Sequence, residues 1–501
     1  MKPVILILLL TLAVASFPAG EANGGSIIYI RANDAITLDP GKTSDIYSSE
    51  VIVNIFEGLV RFKKNSLDVE PCLATSWESQ ADGLHWVFRL RRGVRFHNGQ
   101  PFNATAVVYS FRKRQELKET QFLTWGRLFQ SFDSISALDE FTVAIILKAP
   151  SAYFLTALAL PSSYIVPPGT YEEKEFTPVG TGPFRLGSWS KNSHLTLLRN
   201  PAYWEGAPGI GQVVFKMVGD SVSRLSQLRT GSADVGPIFS SREYDEISRN
   251  REIGIMIYPS LFIHYMMFNT RRPPFNQLAV RQAFSHLLNQ RNLVKVVFQN
   301  FADAADTVLP AAVFPMSEPP LRYEFDLEKA RRLLARAGYA KGFSCSLYFG
   351  AANTGIKQIA ERLVRNARSL NIRIRVFALP FAQLLRDGAE GKHDLLLMGW
   401  TDAPDPDFFL RPLCTMDKGN LNFSFYHTPA LDSLLRQGRE TLDKEKRRQI
   451  YLEILKTVHA EMFLLPLYHI KNFVVFNRRI SGLATSPLGY VLFKEAGKKA
   501  Q

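Results

Sequence analysis

Apolar and polar positions along the chain follow two periods, and the places where the period changes mark the elements. Residues 86–96 (WVFRLRRGVRF) set apolar and basic side chains in turn, a period of two, and Asn98-Gly99 then supplies a tight turn, so this segment predicts a hairpin. Asn103 stands where it can cap the next helix, whose inner face carries Val107, Val108 and Phe111. Val280, Ala283, Phe284, Leu287 and Leu288 recur at helical spacing and predict one buried face. Residues 326–338 (DLEKARRLLARAG) carry their own start and stop, an Asp N-cap and a Gly beyond the last turn. From 356 through 370 the helical period continues, then gives way to period two at Ile372, Ile374 and Val376. Helix followed by strand is the repeating unit of an α/β lobe. No internal repeat, low-complexity tract or long linker interrupts the pattern.

The N-terminus breaks this rhythm. Lys2 precedes an apolar run over residues 4–15, and small residues follow at Gly20 and Ala22. The run is shorter than the ~20 residues a spanning helix needs, and charge, apolar middle and small-x-small end match a secretory leader. Residues 1–22 are read as a cleaved signal peptide, with a cut after Ala15 as the alternative and a buried N-terminal strand as the structural reading. No cysteine follows either cut, so a lipid anchor is not expected, and the mature protein is expected to be periplasmic.

With 501 residues the chain is long enough for two or three lobes with sizeable cores. Three cysteines in an oxidising compartment allow one bridge and leave an odd thiol, with Cys345–Cys414 the expected pair and Cys72 the remainder. None has C-x-x-C or metal-ligand spacing, so neither redox chemistry, nor a metal, nor any other cofactor is indicated.

The formal charge is +14, and loss of the leader leaves it unchanged because Lys2 and Glu21 cancel. The bases spread over 89–95, 112–114, 329–336, 362–375 and 444–448, mostly where a helix or strand would expose them. Solvated faces account for that placement; the functional reading is a field that attracts anionic solutes or a membrane surface. Nucleic acid is not expected, since the compartment is wrong and no recognition motif accompanies the charge.

A catalytic constellation is not evident. No Ser, His and Asp grouping and no H-E-x-x-H stands in the sequence. Gly180-Thr181-Gly182-Pro183 lacks the Lys-Ser or Lys-Thr of a phosphate loop, and Pro183 removes a backbone donor, which favours a structural turn. Asp402, Asp405 and Asp407 offer paired carboxylates of the kind used in glycoside hydrolysis, but they alternate with Pro404 and Pro406, as a rigid turn would.

Several segments, in order over nearly the whole mature chain, resemble the extracellular solute-binding proteins that serve dipeptide, oligopeptide and nickel importers. Residues 56–60 (FEGLV) are similar to the family's early E-G-L segment. Residues 71–111 resemble its P-x-L-A-x-S-W element, its F-x-L-R-x-G-V-x-F-H-x-G segment and the capped helix after it. Residues 179–184 (VGTGPF), 200–204 (NPAYW) and 228–234 (LRTGSAD) resemble its G-T-G-P-F, N-x-x-Y-W and L-x-x-G-x-x-D elements. Phe268-Asn269, Pro274-Phe275 and Val280-Arg281-Gln282-Ala283 resemble F-N…P-F…V-R-x-A.

The resemblance implies an α/β, two-lobed periplasmic binding protein fold with two hinge strands and an extra subdomain inserted in the first lobe. Lobe 1 would take residues 23–64, 180–262 and 471–501, the insert 65–179, and lobe 2 263–470, with hinge crossings near 262–265 and 469–473. It implies a binding protein rather than an enzyme: the monomeric substrate-binding component of an ABC importer, closing on a peptide-like solute and delivering it to permease subunits in the inner membrane. Metal chelates, opines, haem and oligosaccharides are the alternative solutes within the family. A periplasmic hydrolase using Asp402 and Asp405, and a chaperone-like holder of unfolded chains, are the readings from other classes.

In relatives a segment similar to 399–407 (GWTDAPDPD) lines the second lobe's side of the cleft, with an Asp three residues after the Trp pairing the peptide's α-ammonium. Here Asp402 lies only two residues after Trp400, so the loop is one residue shorter. Either Asp402 is still presented, with the deletion absorbed beside Ala403, or the pairing is lost. A carboxylate beside an indole suits a cation, which makes Trp400 and Asp402 the candidate ligand-binding residues, with Asp405 beside stiff prolines as the third. The structural alternatives are Trp400 as packing, Asp402 as a turn cap and Asp405 as part of the turn. Tyr47, Trp125 and His264 are further cleft candidates by location alone.

Overall fold

The structure is a computed structural model that describes residues 25–116, 126–238, 241–299, 301–316, 324–351, 354–416 and 421–499. The leader and Trp125 lie outside the described residues. Among those described, no helix is long and apolar enough to cross a membrane.

A mixed sheet organises the molecule. In spatial order its strands are Arg373–Leu379, Ser344–Gly350, Leu395–Trp400, Ile253–Phe268, Leu464–Asn477, Val235–Ile238, Ser26–Arg31, Gln212–Met217, His194–Arg199 and Phe184–Ser190, with Ala302–Ala304 pairing Leu464–Asn477 off this path. Among the described residues, only the two long strands run through both halves. They pair antiparallel from Ile253 opposite Asn477 to Pro259 opposite Lys471, and again from Ile263 opposite His469. Between those stretches the register shifts. Pro259 has no N–H to give the ladder, and the Phe262 amide turns to the Ser260 hydroxyl at 2.9 Å.

Period two is legible in the strands of the second half. Met266 and Phe268 with Leu395 and Leu397 face one helical layer, made of Leu278–Ser285, Gln290–Val297, Leu327–Arg336 and Thr354–Arg368. Tyr265 and Met267 with Leu396 and Met398 face another, made of Phe381–Ala389, Pro406–Cys414, Pro429–Glu440 and Lys444–Glu461. The helix signals hold where the sequence placed them: Asp326 accepts the Lys329 amide at 2.8 Å, Asn103 accepts the Thr105 amide at 3.1 Å, and Gly338 sits at φ +86°, a conformation costly for residues with a Cβ.

Three expectations are corrected. The strand in 86–96 is His85–Leu90, and its partners are Ala74–Ser79 and Thr142–Leu147 rather than a strand beyond Asn98-Gly99. Gly93 at φ +77° ends the alternation, and the Asn98-Gly99 turn closes only a single bridge between Arg95 and Pro101. The helix beginning at Leu278 stops at Ser285, so Leu287 and Leu288 are buried from the turn that follows. No disulfide forms: Cys72, Cys345 and Cys414 are free and buried, and Cys345 and Cys414 lie in cores on opposite faces of the sheet.

A four-stranded sheet, Ala74–Ser79, His85–Leu90, Thr142–Leu147 and Phe132–Asp139, with the helix Ala104–Glu116, builds a separate core from residues 59–165. Two residues from far along the chain, Ala403 and Phe408, belong to that core.

Candidate ligand-binding loop

The Leu395–Trp400 strand ends where the two halves meet. Its partners hold it on both sides, Ser344–Gly350 in parallel and Ile263–Phe268 antiparallel, with Trp400 opposite Ile263 and Gly399 opposite His264. Gly399 is required there, since a methyl group on it would run into the Phe262 ring and come within 2.8 Å of His264 Nε2. Loops after the carboxyl ends of α/β strands are where such sheets take ligands. The loop from 401 to 405 leaves this end and crosses to the 59–165 core, where Ala403 is 6 % exposed and Phe408 2 %.

The candidates Trp400, Asp402 and Asp405 thus share one loop, but their side chains have different employment. Trp400 is half-buried, and its Nε1–H is shielded from water without a hydrogen-bond partner. A buried donor left unpaired costs about 1–3 kcal/mol. Asp402 is also half-buried, and its Oδ1 accepts the Ala403 amide at 2.7 Å.

Asp405 is fully engaged. It caps the Pro406–Cys414 helix by accepting the Asp407 amide at 2.9 Å, and both its oxygens receive Arg447, at 2.8 Å from Nη1 and 2.7 Å from Nη2. Arg447 also donates to the Gly438 carbonyl at 2.7 Å, which ties the loop to two further helices. Burial opposes charge on Arg447, and the Asp405 carboxylate more than offsets it, so the guanidinium stays charged.

Asp407 is 1 % exposed, and its Oδ1 has no hydrogen-bond partner. Burial pushes its carboxyl up to about 6, against the pull of Arg411 and Arg439. It stands at the contact between halves: the Tyr153 ring lies 4.6 Å from the Phe408 ring, and the Ala152 amide donates to the Arg439 carbonyl at 2.8 Å.

Two of the remaining candidates, His264 and Tyr47, make contacts within the fold. His264 is 2 % exposed and stacks on Tyr468 at 4.3 Å, and burial, with His469 nearby, lowers its imidazole to about 3. Tyr47 begins a helix, and its carbonyl accepts Arg31 Nη1 at 2.7 Å. The Gly180–Pro183 turn is structural: the Gly182 amide donates to the Ile55 carbonyl at 2.9 Å, and a methyl on Gly182 would come 2.7 Å from that same oxygen.

A C-terminal feature escaped the reading of the sequence. The hairpin of Ala484–Thr485 and Val491–Leu492 carries Leu488 at its tip, packed against both the 59–165 core and the core that holds Trp400. Tyr258 of a crossing strand donates to the Gly489 carbonyl at 3.1 Å, which pins the tip at the meeting of the halves. Its signal was Ser486-Pro487-Leu488-Gly489, a turn sequence between two short apolar runs.

Comparison with known proteins agrees with this architecture. Residues 68–420 match the family model described as bacterial extracellular solute-binding proteins, family 5 middle. The chain is 27 % identical to the haem-binding protein A of Haemophilus influenzae, covering 96 % of this chain and 94 % of that one. It is 27 % identical to the dipeptide-binding protein of Escherichia coli, covering 95 % of each. The solved structure of HbpA2 from Haemophilus parasuis superposes with a TM-score of 0.86 at 26 % identity, covering 95 % of this chain and all of that one. The chain therefore belongs to the bacterial extracellular solute-binding proteins of family 5, the two-lobed solute-capturing components of ABC importers.

Proposed function

We propose that the protein captures a peptide-like solute between its lobes, with the ligand's ammonium on Asp402 and an acceptor of the ligand on the Trp400 indole N–H. The observation that carries this reading is that unpartnered, buried Nε1–H, two residues from a carboxylate at the carboxyl end of a strand. A zwitterionic peptide terminus brings a cation and a carbonyl acceptor at the spacing of one residue. The dipeptide-binding relative supports a peptide; the haem-binding relative keeps a large apolar solute as the competing outcome.

The reading places lobe 1 at 23–64, 180–262 and 471–501, the insert at 65–179 and lobe 2 at 263–470. The lobes rock about the register break between Pro259 and Ile263, and a ligand touching both stabilises the closed form. The protein acts as a monomer in the periplasm after loss of residues 1–22, without a lipid anchor, and hands its solute on unchanged. Hydrolysis by paired carboxylates finds little support, since both oxygens of Asp405 are occupied by Arg447.

Mass spectrometry of the solute that leaves denatured, natively purified protein tests the reading. A peptide with a free amino terminus is the expected result. Haem or a metal chelate in its place overturns the ligand assignment, and recovery of cleaved products restores the hydrolase.

A further inference from the structure

The two helical layers of the second half differ in charge. Residues 278–297 and 324–379, which form one layer and its edge strands, hold fourteen Lys and Arg against four Asp and Glu. Residues 381–461, on the other side of the sheet, hold eleven against thirteen. A net +10 of the chain's +14 therefore falls in these segments. Lys329, Arg332, Arg336, Lys357, Arg365 and Arg368 are exposed. The helices that carry them adjoin: Arg331 pairs with Glu328 and reaches the Ser369 carbonyl at 3.4 Å. Of the four acids, Glu328 is thus paired and Asp326 is held as a helix cap. A groove of about 820 Å³ lined by Lys341, Arg368 and Arg373 continues the field to the far end of the strands.

We infer that this layer docks the protein onto an anionic phospholipid bilayer. The exposed bases are spread over two helices, Leu327–Arg336 and Thr354–Arg368, so they match an extended anionic surface rather than a single bound anion. Val296, Phe325 and Val376, exposed in the same stretch, add apolar contacts of the kind that seat a basic surface among headgroups. Each base near such a surface strengthens partition severalfold, and the attraction falls off within a Debye length of about 8 Å at physiological salt. The face lies on the opposite side of the sheet from the Pro406–Cys414 helix that follows the ligand loop, so docking and solute capture do not compete for the same residues.

The test is flotation of the whole mature protein with vesicles of equal phosphatidylglycerol and phosphatidylcholine, and with phosphatidylcholine alone, at low and high salt. The expected result is binding to the anionic vesicles only, reversed by salt. Arg332→Glu with Arg336→Glu and Arg365→Glu should lower partition by roughly tenfold or more. Arg436→Glu with Lys444→Glu and Lys456→Glu, the same charge change on the opposite layer, should leave it within about threefold. Equal losses from both triple variants, or no binding to anionic vesicles at low salt, overturn the inference. Should a charge-reversed variant fail to fold, acetylation footprinting of the unaltered protein decides: vesicles should protect Lys329, Lys341 and Lys357 but not Lys444, Lys446 and Lys456. Protection of those same lysines by a single-stranded oligonucleotide, with none from vesicles, would assign the face to nucleic acid instead.

Discussion

Asp402 and Asp405 stand three residues apart on one loop and live in different chemistry. The beginning of the loop, Trp400 to Asp402, is half-buried and carries an indole donor that the fold leaves unused. Its end, Asp405 to Asp407, is buried and tied by Arg447 to the helices behind it. One end is held, and on the proposed reading the other meets the ligand. Stiff anchoring of this kind lowers the ordering cost when a ligand arrives, and the difference can be tested by substitutions that should move stability at one end and affinity at the other.

The largest effect should come from the anchored end. Asp405→Ala leaves the Arg447 guanidinium buried without its partner, and breaking a buried pair costs about 3–5 kcal/mol. Urea unfolding should show a loss of that size; a change under about 1 kcal/mol would mean the pair contributes little and the loop is held elsewhere.

At the open end Asp402→Asn should weaken a free-amine ligand by roughly 30-fold to several thousandfold, the ~2–5 kcal/mol cost of truncating a desolvated charge pair. Calorimetric titration against the peptide and its N-acetylated form separates charge from shape, because the acetylated form should bind both proteins alike. Equal affinity of Asp402→Asn for the free amine rules out the ammonium pairing.

Asp407 gives a pH signature. Its carboxyl titrates near 6 in the folded protein because burial opposes the charge, above the ordinary 3.8 it has when unfolded. The native state therefore holds this proton more tightly than the unfolded one, and its contribution to stability declines as pH rises from about 4 to about 7. The decline amounts to at most about 3 kcal/mol, and Asp407→Asn should flatten it. Unfolding free energies of the two proteins at pH 4.5 and 7.5 check this, and parallel slopes would contradict it.

The smallest change is Trp400→Phe, which keeps the ring and removes the N–H. Losing one hydrogen bond is worth about 0.5–1.5 kcal/mol, so affinity should fall by roughly 3- to 10-fold while the fold gains from losing an unpaired donor.

What the sequence disclosed was local. Asn103, Asp326 and Gly338 act on backbone groups within a few residues, so their caps and stops could be seen without knowing the fold. The alternation of Asp402, Asp405 and Asp407 with Pro404 and Pro406 likewise announced a turn. The employment of Asp405 was not visible, because Arg447 lies forty-two residues away and many other arginines stood as eligible partners. Leu488 was missed for the same reason, since what makes it matter is the meeting of two cores far apart in sequence. The expected hairpin after His85–Leu90 failed because alternation says that a strand exists and not which strand it joins.

The register break between Pro259 and Ile263 bears on how the molecule can move. The two strands that cross between the halves are also each other's neighbours, bonded on either side of the break. Two separate cords would let one half swing, twist and slide against the other. On the proposed closure, cords lashed together on either side of the break act as one joint, with bending concentrated there and at the second shift between His264 and Tyr265, and sliding resisted by the ladders. Motion on that reading is confined close to a single arc, so a solute that draws one rim inward brings the opposing face with it.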